Sequence, residues 1–132
     1  MSTATSVEPW VQDFVRLEQH IANALSYSGG THTVEDVFVG IAAGQFHFWP
    51  GQESAVVTEF RLYPRKKTLH YFLCGGTLEE LEQMQKQIEQ WAKAQGCDAI
   101  TTAGRPGWTK SFLNKQGFRP QWTVMSKELK DE

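Results

Sequence analysis

Apolar residues first recur every three or four positions, at Trp10, Phe14, Leu17, Ile21 and Leu25, between Pro9 and the pair Gly29-Gly30. That spacing predicts one amphipathic helix, opened by a proline in its first turn and stopped by glycine. Its polar side carries Glu8, Asp13, Arg16 and Glu18 rather than a cationic band. The apolar stripe is therefore expected to pack on a sheet, not to lie on a membrane. Thr33, with Glu35 and Asp36 behind it, reads as the N-cap and acidic first turn of a second, shorter helix. Val37, Phe38 and Ile41 give that helix an apolar side, and Gly44 ends it.

The period then shortens to two. Phe46 to Trp49, Ala55 to Leu62 and Thr68 to Leu73 read as strands, separated by Pro50-Gly51 and by Pro64 with Arg65-Lys66-Lys67. Connections this short predict an antiparallel meander. In the middle strand, alternation puts Ala55, Val57, Glu59 and Arg61 on one face and Val56, Thr58, Phe60 and Leu62 on the other. Gly75-Gly76-Thr77 follows the third strand, and a helical stripe of Leu78, Leu81, Met84, Ile88 and Trp91 follows Thr77. Thr77 and Glu80 have capping-box spacing, and Gly96 closes this long helix. Cys97 to Thr102 reads as a strand parallel to the one before the helix, because a long crossover separates them. A loop at Ala103 to Gly107, a short helix from Trp108 to Gln116 and a last strand from Trp122 to Ser126 complete the pattern. The fold class is thus α/β (α+β), with one domain over residues 8–132 behind a flexible stretch at 1–7.

Composition narrows the function classes. A chain of 132 residues with 40% apolar and 21% charged residues suits one globular domain. Its formal net charge of −2, without a basic stripe, lacks the footprint of a nucleic-acid binder. No apolar run approaches a membrane span, and no secretion signal precedes the first helix, so the expected place is a cytoplasm. Cys74 and Cys97 adjoin strands, have no CxxC spacing and no histidine at ligand distance in sequence. They are expected to be reduced core thiols, and no metal site is expected.

Several residues could carry chemistry. Glu59 is a carboxylate in the middle of an otherwise apolar strand, open to two readings: a solvated or paired surface charge, or a general base. His32 stands beside the Thr33 cap, where it is either exposed or locally bonded. The strand-Gly75-Gly76-Thr77-helix junction can serve as a plain tight turn, or its glycines and first-turn amides can admit a phosphate. Arg105 is the strong cation of the loop beyond the fourth strand, the usual position for function in such a unit.

The order of these elements, together with Phe112-Leu113-Asn114-Lys115-Gln116-Gly117-Phe118 before the final strand, resembles the GCN5-related N-acetyltransferase (GNAT) superfamily. More narrowly, His32-Thr33, Phe48-Trp49-Pro50-Gly51, Tyr63-Pro64-Arg65-Lys66 and Gly75-Gly76 resemble small acetyltransferase-like proteins of tailed bacteriophages and prophages. The resemblance implies a V-shaped opening between the strand ending at Leu73 and the strand Ala99 to Thr102, receiving the pantetheine arm of acetyl-CoA. The amides of Gly75, Gly76, Thr77 and Leu78 would face its pyrophosphate, with Arg105 as a clamp. Glu59 or His70 would be the base and Tyr71 a substitute acid, although His70 and Tyr71 point to opposite faces of their strand.

Two departures weigh against chemistry. The Cys74-Gly75-Gly76-Thr77 turn is shorter than the superfamily's phosphate loop, and Leu113 stands where its tyrosine acid commonly does. One expectation is therefore a weakly catalytic or noncatalytic accessory protein, virion-associated or in the host cytoplasm. It would use no cofactor and would bind a protein partner, another virion protein or itself, through exposed aromatics among Trp10, Trp49 and Trp122. The alternative is an acetyl-CoA-dependent N-acyltransferase acting on a small-molecule or protein amine. An unrelated α/β fold would leave the last strand off the sheet.

Overall fold

The computed structural model describes residues 8–103 and 116–129. The expected flexible stretch at 1–7, Arg105 and Leu113, and nearly all of the expected helix from Trp108 to Gln116, lie outside the described residues. The elements run α1 (Pro9–Arg16), α2 (Glu18–Leu25), α3 (Val34–Ala42), β1 (His47–Pro50), β2 (Ala55–Tyr63), β3 (Lys66–Gly75), α4 (Leu78–Ala94) and β4 (Ala99–Thr102). The strands form one sheet in the order β1-β2-β3-β4. The first two pairings are antiparallel and the last, across α4, is parallel.

The helices cover both faces of the sheet, as the alternation in β2 requires. On one face Phe14, Leu17, Ile21, Leu25 and Val37 pack against Phe46, Ala55, Val57 and Leu73. On the other, Leu81, Ile88 and Ala92 of α4 pack against Val56, Leu69 and Tyr71. Leu17, Ile21, Leu69 and Ile88 are among the fully buried side chains. Each such side chain contributes about 1.5–3 kcal/mol by leaving water. Cys74 and Cys97 are free thiols, both packed against the α4-side core.

Some elements depart from the periodicity. The first apolar stripe forms two helices, broken at Leu17, whose φ of −101° and ψ of 10° leave the helical range. The break lets α1 follow β1 while α2 follows β3 across the twist of the sheet. Leu78 does not join the α4 stripe: it is 55% exposed, and Gln85 and Ala92 are buried instead. The expected strand from Trp122 to Ser126 is not a strand, and the whole stretch is exposed. Among the described residues no helix is long and apolar enough to cross a membrane.

Candidate functional site

The parallel pair β3 and β4 stays together only from Thr68 opposite Ala99 to Tyr71 opposite Thr102. β3 runs on to Gly75, so its last residues have no strand on that side among those described. A bulge coincides with the parting: Val57 faces Leu73 and Thr58 faces Tyr71, so Phe72 is the extra residue. It places Phe72 beside Leu73 on the face of the N-terminal helices, where the Phe72 ring stacks on Phe46 at 5.1 Å. The His32 ring packs against it at 4.7 Å, while Nδ1 of His32 meets the Thr31 hydroxyl at 2.7 Å. A bulge bends its strand and increases local twist, and this one comes where the β3–β4 pairing ends among the described residues.

In the turn between β3 and α4, the Thr77 amide is engaged from within the protein. The Thr77 amide donates to Oγ of Ser54 at 3.0 Å, and the Glu80 amide to Oγ1 of Thr77 at 3.4 Å. Gly76 has φ +127°, and a Cβ there would run into Ser54 and the Glu53 carbonyl. A Cβ on Gly75 would meet the His20 carbonyl of α2. Both glycines permit close backbone approach, as the sequence suggested, but what approaches is the chain itself.

Glu80 does not complete the expected capping box. Its carboxylate accepts instead from the amides of Gln52 at 2.6 Å and Glu53 at 2.9 Å, in the β1–β2 turn. A Cβ on Gly51 would meet that carboxylate, which would have to shift. Desolvation would raise the Glu80 pKa. The backbone donors Gln52 and Glu53, the Ser54 hydroxyl and the Arg16 charge outweigh it and hold the group below its ordinary value. Arg16 clamps the same turn through the carbonyls of Gln52 at 2.6 Å and Gly51 at 3.0 Å, and pairs with Asp13 at 3.0 Å. The start of α4 thus carries Glu79 and Glu80, with Glu53 in the turn beside it. These carboxylates use the helix dipole that an anion would otherwise meet.

The candidate acid and base residues separate into two groups. Glu59 and His70 are register partners across β2 and β3. Glu59 is half-buried and lies 3.5 Å from the Arg61 guanidinium. Nδ1 of His70 is 2.8 Å from Oγ1 of Thr101 on β4, a contact whose donor depends on the tautomer. Burial, aided by the Arg61 charge, lowers the His70 pKa to about 4. The imidazole is therefore neutral near pH 7, and a weak base.

Tyr71 occupies the opposite face, under α4 and 6.3 Å from the Phe118 ring. It is 6% exposed, and its hydroxyl has no hydrogen-bond partner among the described residues. Burial raises its pKa above the ordinary phenol value, while burial pushes the nearby Cys74 thiol up to about 12. Neither group ionises near neutral pH. Leu73 lies in the core beneath the N-terminal helices, whereas Leu78 faces outward. Trp10 and Trp49 are half-buried: Trp10 packs on Phe38 at 5.0 Å, and Nε1 of Trp49 donates to Oγ1 of Thr58 at 3.1 Å. Trp122 is 74% exposed. No group of three or more metal-ligating side chains occurs among the described residues.

Sequence reasoning missed Ser54, Glu80 and Arg16 as a unit. Their partners lie 23 to 36 positions away in the chain, so no local spacing could signal them. The glycine of Pro50-Gly51 was the available sign, because it admits the Glu80 carboxylate.

Similarity to solved structures places this arrangement in a known fold. A GNAT family acetyltransferase of Staphylococcus aureus matches with a TM-score of 0.57 at 13% identity, over 89% of this chain and 93% of its own. A protein of Pyrococcus furiosus, provisionally named an acetyl transferase, matches with a TM-score of 0.64 at 15% identity, over 92% and 95%. A tetramutant of the BH1408 protein of Bacillus halodurans matches with a TM-score of 0.63 at 17% identity, over 90% and 94%. No family model and no curated protein matches the sequence. The chain has the GNAT fold, even though Trp122 to Ser126 does not join its sheet.

Proposed function

We propose that this chain is a GNAT-fold accessory protein of a tailed bacteriophage, acting through protein contacts rather than acyl transfer. The observation that carries the loss of acyl transfer is Oγ of Ser54 on the Thr77 amide, with Ser54 closed against Gly76. A pyrophosphate at this turn would have to displace Ser54 and sit beside Glu53, Glu79 and Glu80. Each displaced or unpaired donor costs about 1–3 kcal/mol, and three nearby carboxylates add repulsion. The phage assignment rests on the short sequence motifs around His32, Phe48, Tyr63 and Gly75, and carries with it the host cytoplasm or the particle as the place of action.

Calorimetric titration with acetyl-CoA, with CoA as control, tests the reading. The expected result is no heat at millimolar ligand. A dissociation constant at or below about 100 μM, equivalent to about 5.5 kcal/mol, would overturn it. Mass spectrometry of purified particles of the encoding phage addresses virion association separately.

The second reading, an N-acyltransferase using acetyl-CoA on an amine, is favoured by β3 running on to Gly75 beyond its last pairing with β4, Tyr71 opposite Thr102, among the described residues. Among the described residues the β3 edge beyond Tyr71 has no strand beside it and offers hydrogen bonds to an extended arm, and holding thioester and amine together supplies much of the rate without a dedicated acid. Glu59 or His70 would then be the base and Tyr71 the donor. Their places on opposite faces mean that they could not both line one pocket directly.

A further inference from the structure

We infer that the tip of the β2–β3 hairpin docks into the β1–β2 end of a second copy of this chain, so that copies join head to tail along the strand direction. The tip projects beyond its neighbours: β1 pairs with β2 only as far as Thr58, and β4 starts opposite Thr68. On it apolar and basic groups are exposed together. Tyr63 and Lys66 are register partners on either side of Pro64-Arg65, and Leu62 and Tyr63 are 72% and 53% exposed. Lys67 is engaged, donating to the Gln95 carbonyl at 2.7 Å, and Arg61 lies 3.5 Å from Glu59. Arg65 and Lys66 are exposed and make no hydrogen bond or ion pair among the described residues. Free cations beside exposed apolar side chains suit a partner surface that is acidic and partly apolar.

The opposite end of the same two strands carries such a surface. The turn before Ala55 frames an open hollow of about 610 Å³, lined by Arg16, Pro50, Gly51, Gln52 and Glu53. Arg16 is already satisfied there, by Asp13 and by the carbonyls of Gly51 and Gln52. The charges left over are acidic. Glu53 is exposed in the turn, and Glu79 follows Leu78, itself 55% exposed, at the start of α4, which Glu80 ties to that turn. Tip and hollow thus match in shape, sign and apolar content. The nine residues of β2 hold them on the order of 30 Å apart, at about 3.3 Å per residue, so they cannot meet within one chain. That separation exceeds the Debye length of about 8 Å at physiological salt, and the two ends act as separate patches. Because tip and hollow are different surfaces, each added copy leaves one of each free, and growth continues until a ring closes. Exposed ion pairs are individually weak, so the contact forms at high protein concentration and low salt. The inference goes beyond the proposed function, since this contact needs no phage particle and is indifferent to whether acetyl-CoA binds.

Sedimentation of the full chain at low salt should show a mass that rises with concentration from 15.0 kDa through two copies to more, and that falls back in about 1 M sodium chloride. Two double variants separate the surfaces. Tyr63→Ser with Lys66→Ser alters the tip, Glu53→Gln with Glu79→Gln alters the hollow, and each pair of changes should weaken association at least about tenfold. Mixed in equal amounts, the two variants have one working tip and one working hollow between them, and should form a complex of two chains and nothing larger. Circular dichroism of both variants establishes that loss of mass is not loss of fold. A chain that stays at 15.0 kDa at about 1 mM in low salt overturns the proposal, as does association that neither salt nor either double variant weakens. A parent chain that stops at two copies, or variants that fail to complement each other, overturns it too.

Discussion

Oγ of Ser54 lies 3.0 Å from the amide nitrogen of Thr77, so the turn between β1 and β2 caps the turn between β3 and α4. Ser54 is fully buried, and no water competes for that bond. Ser54→Ala leaves the Thr77 donor unpaired and should cost about 1–2 kcal/mol. In a domain of this size that lowers the melting temperature by about 4 °C. Thermal unfolding followed by circular dichroism checks the figure.

Gly76 is fixed by the same contact. With φ +127° and Ser54 in the place of a side chain, Gly76→Ala meets both backbone strain and a steric clash. A loss of at least about 2 kcal/mol is expected. Gly96→Ala, which has open space around it but φ +82°, should carry only the strain. Denaturant titration of the two variants side by side separates the clash from the strain.

His70 makes stability depend on pH in a defined direction. Its folded pKa of about 4 lies below the ordinary 6.5, so the unfolded chain binds more protons between those values. The contribution is fully present above about pH 6.5 and is lost as pH falls toward about 4. His70→Asn keeps a side-chain partner for Thr101 but cannot titrate, and should flatten this part of the profile. Glu80 adds a separate acidic limb: its lowered pKa stabilises the fold above the ordinary carboxylate range and fails as pH drops through it. Unfolding free energies at intervals from pH 3.5 to 7 resolve the two limbs.

Tyr71 supplies a prediction of opposite sign. Its hydroxyl is buried without a partner among the described residues, so Tyr71→Phe removes a desolvation cost and breaks no hydrogen bond found there. Stability should be unchanged or higher by about 1 kcal/mol. A loss above about 1 kcal/mol would mean that the hydroxyl is bonded in solution. The denaturation midpoint decides between these outcomes.

The sheet and its helices were legible because each depends on local chemistry. The period-two run from Ala55 to Leu62 fixed which residues face which helix layer, and Thr77 with Gly96 bounded α4 within a residue or two. Trp122 to Ser126 shows the limit: its residues favour a strand, but a strand needs a partner edge, which local composition does not specify. The site was less legible than the fold. Gly75 and Gly76 left open a plain turn or a phosphate contact, and their neighbours within the chain, His20 and Ser54, are distant in sequence. Alternation correctly separated His70 from Tyr71, but could not reveal that Thr101 would engage the first and that the hydroxyl of the second would stay unpaired among the described residues.

The engagement of the Thr77 amide by Ser54 is tested most directly by the amide resonances of Gly75, Gly76, Thr77 and Leu78 in an isotope-labelled sample as acetyl-CoA is added. If Ser54 holds the Thr77 amide against the ligand, all four resonances stay in place at millimolar acetyl-CoA. Saturable shifts centred on these four residues would show that pyrophosphate displaces Ser54, and would contradict the account.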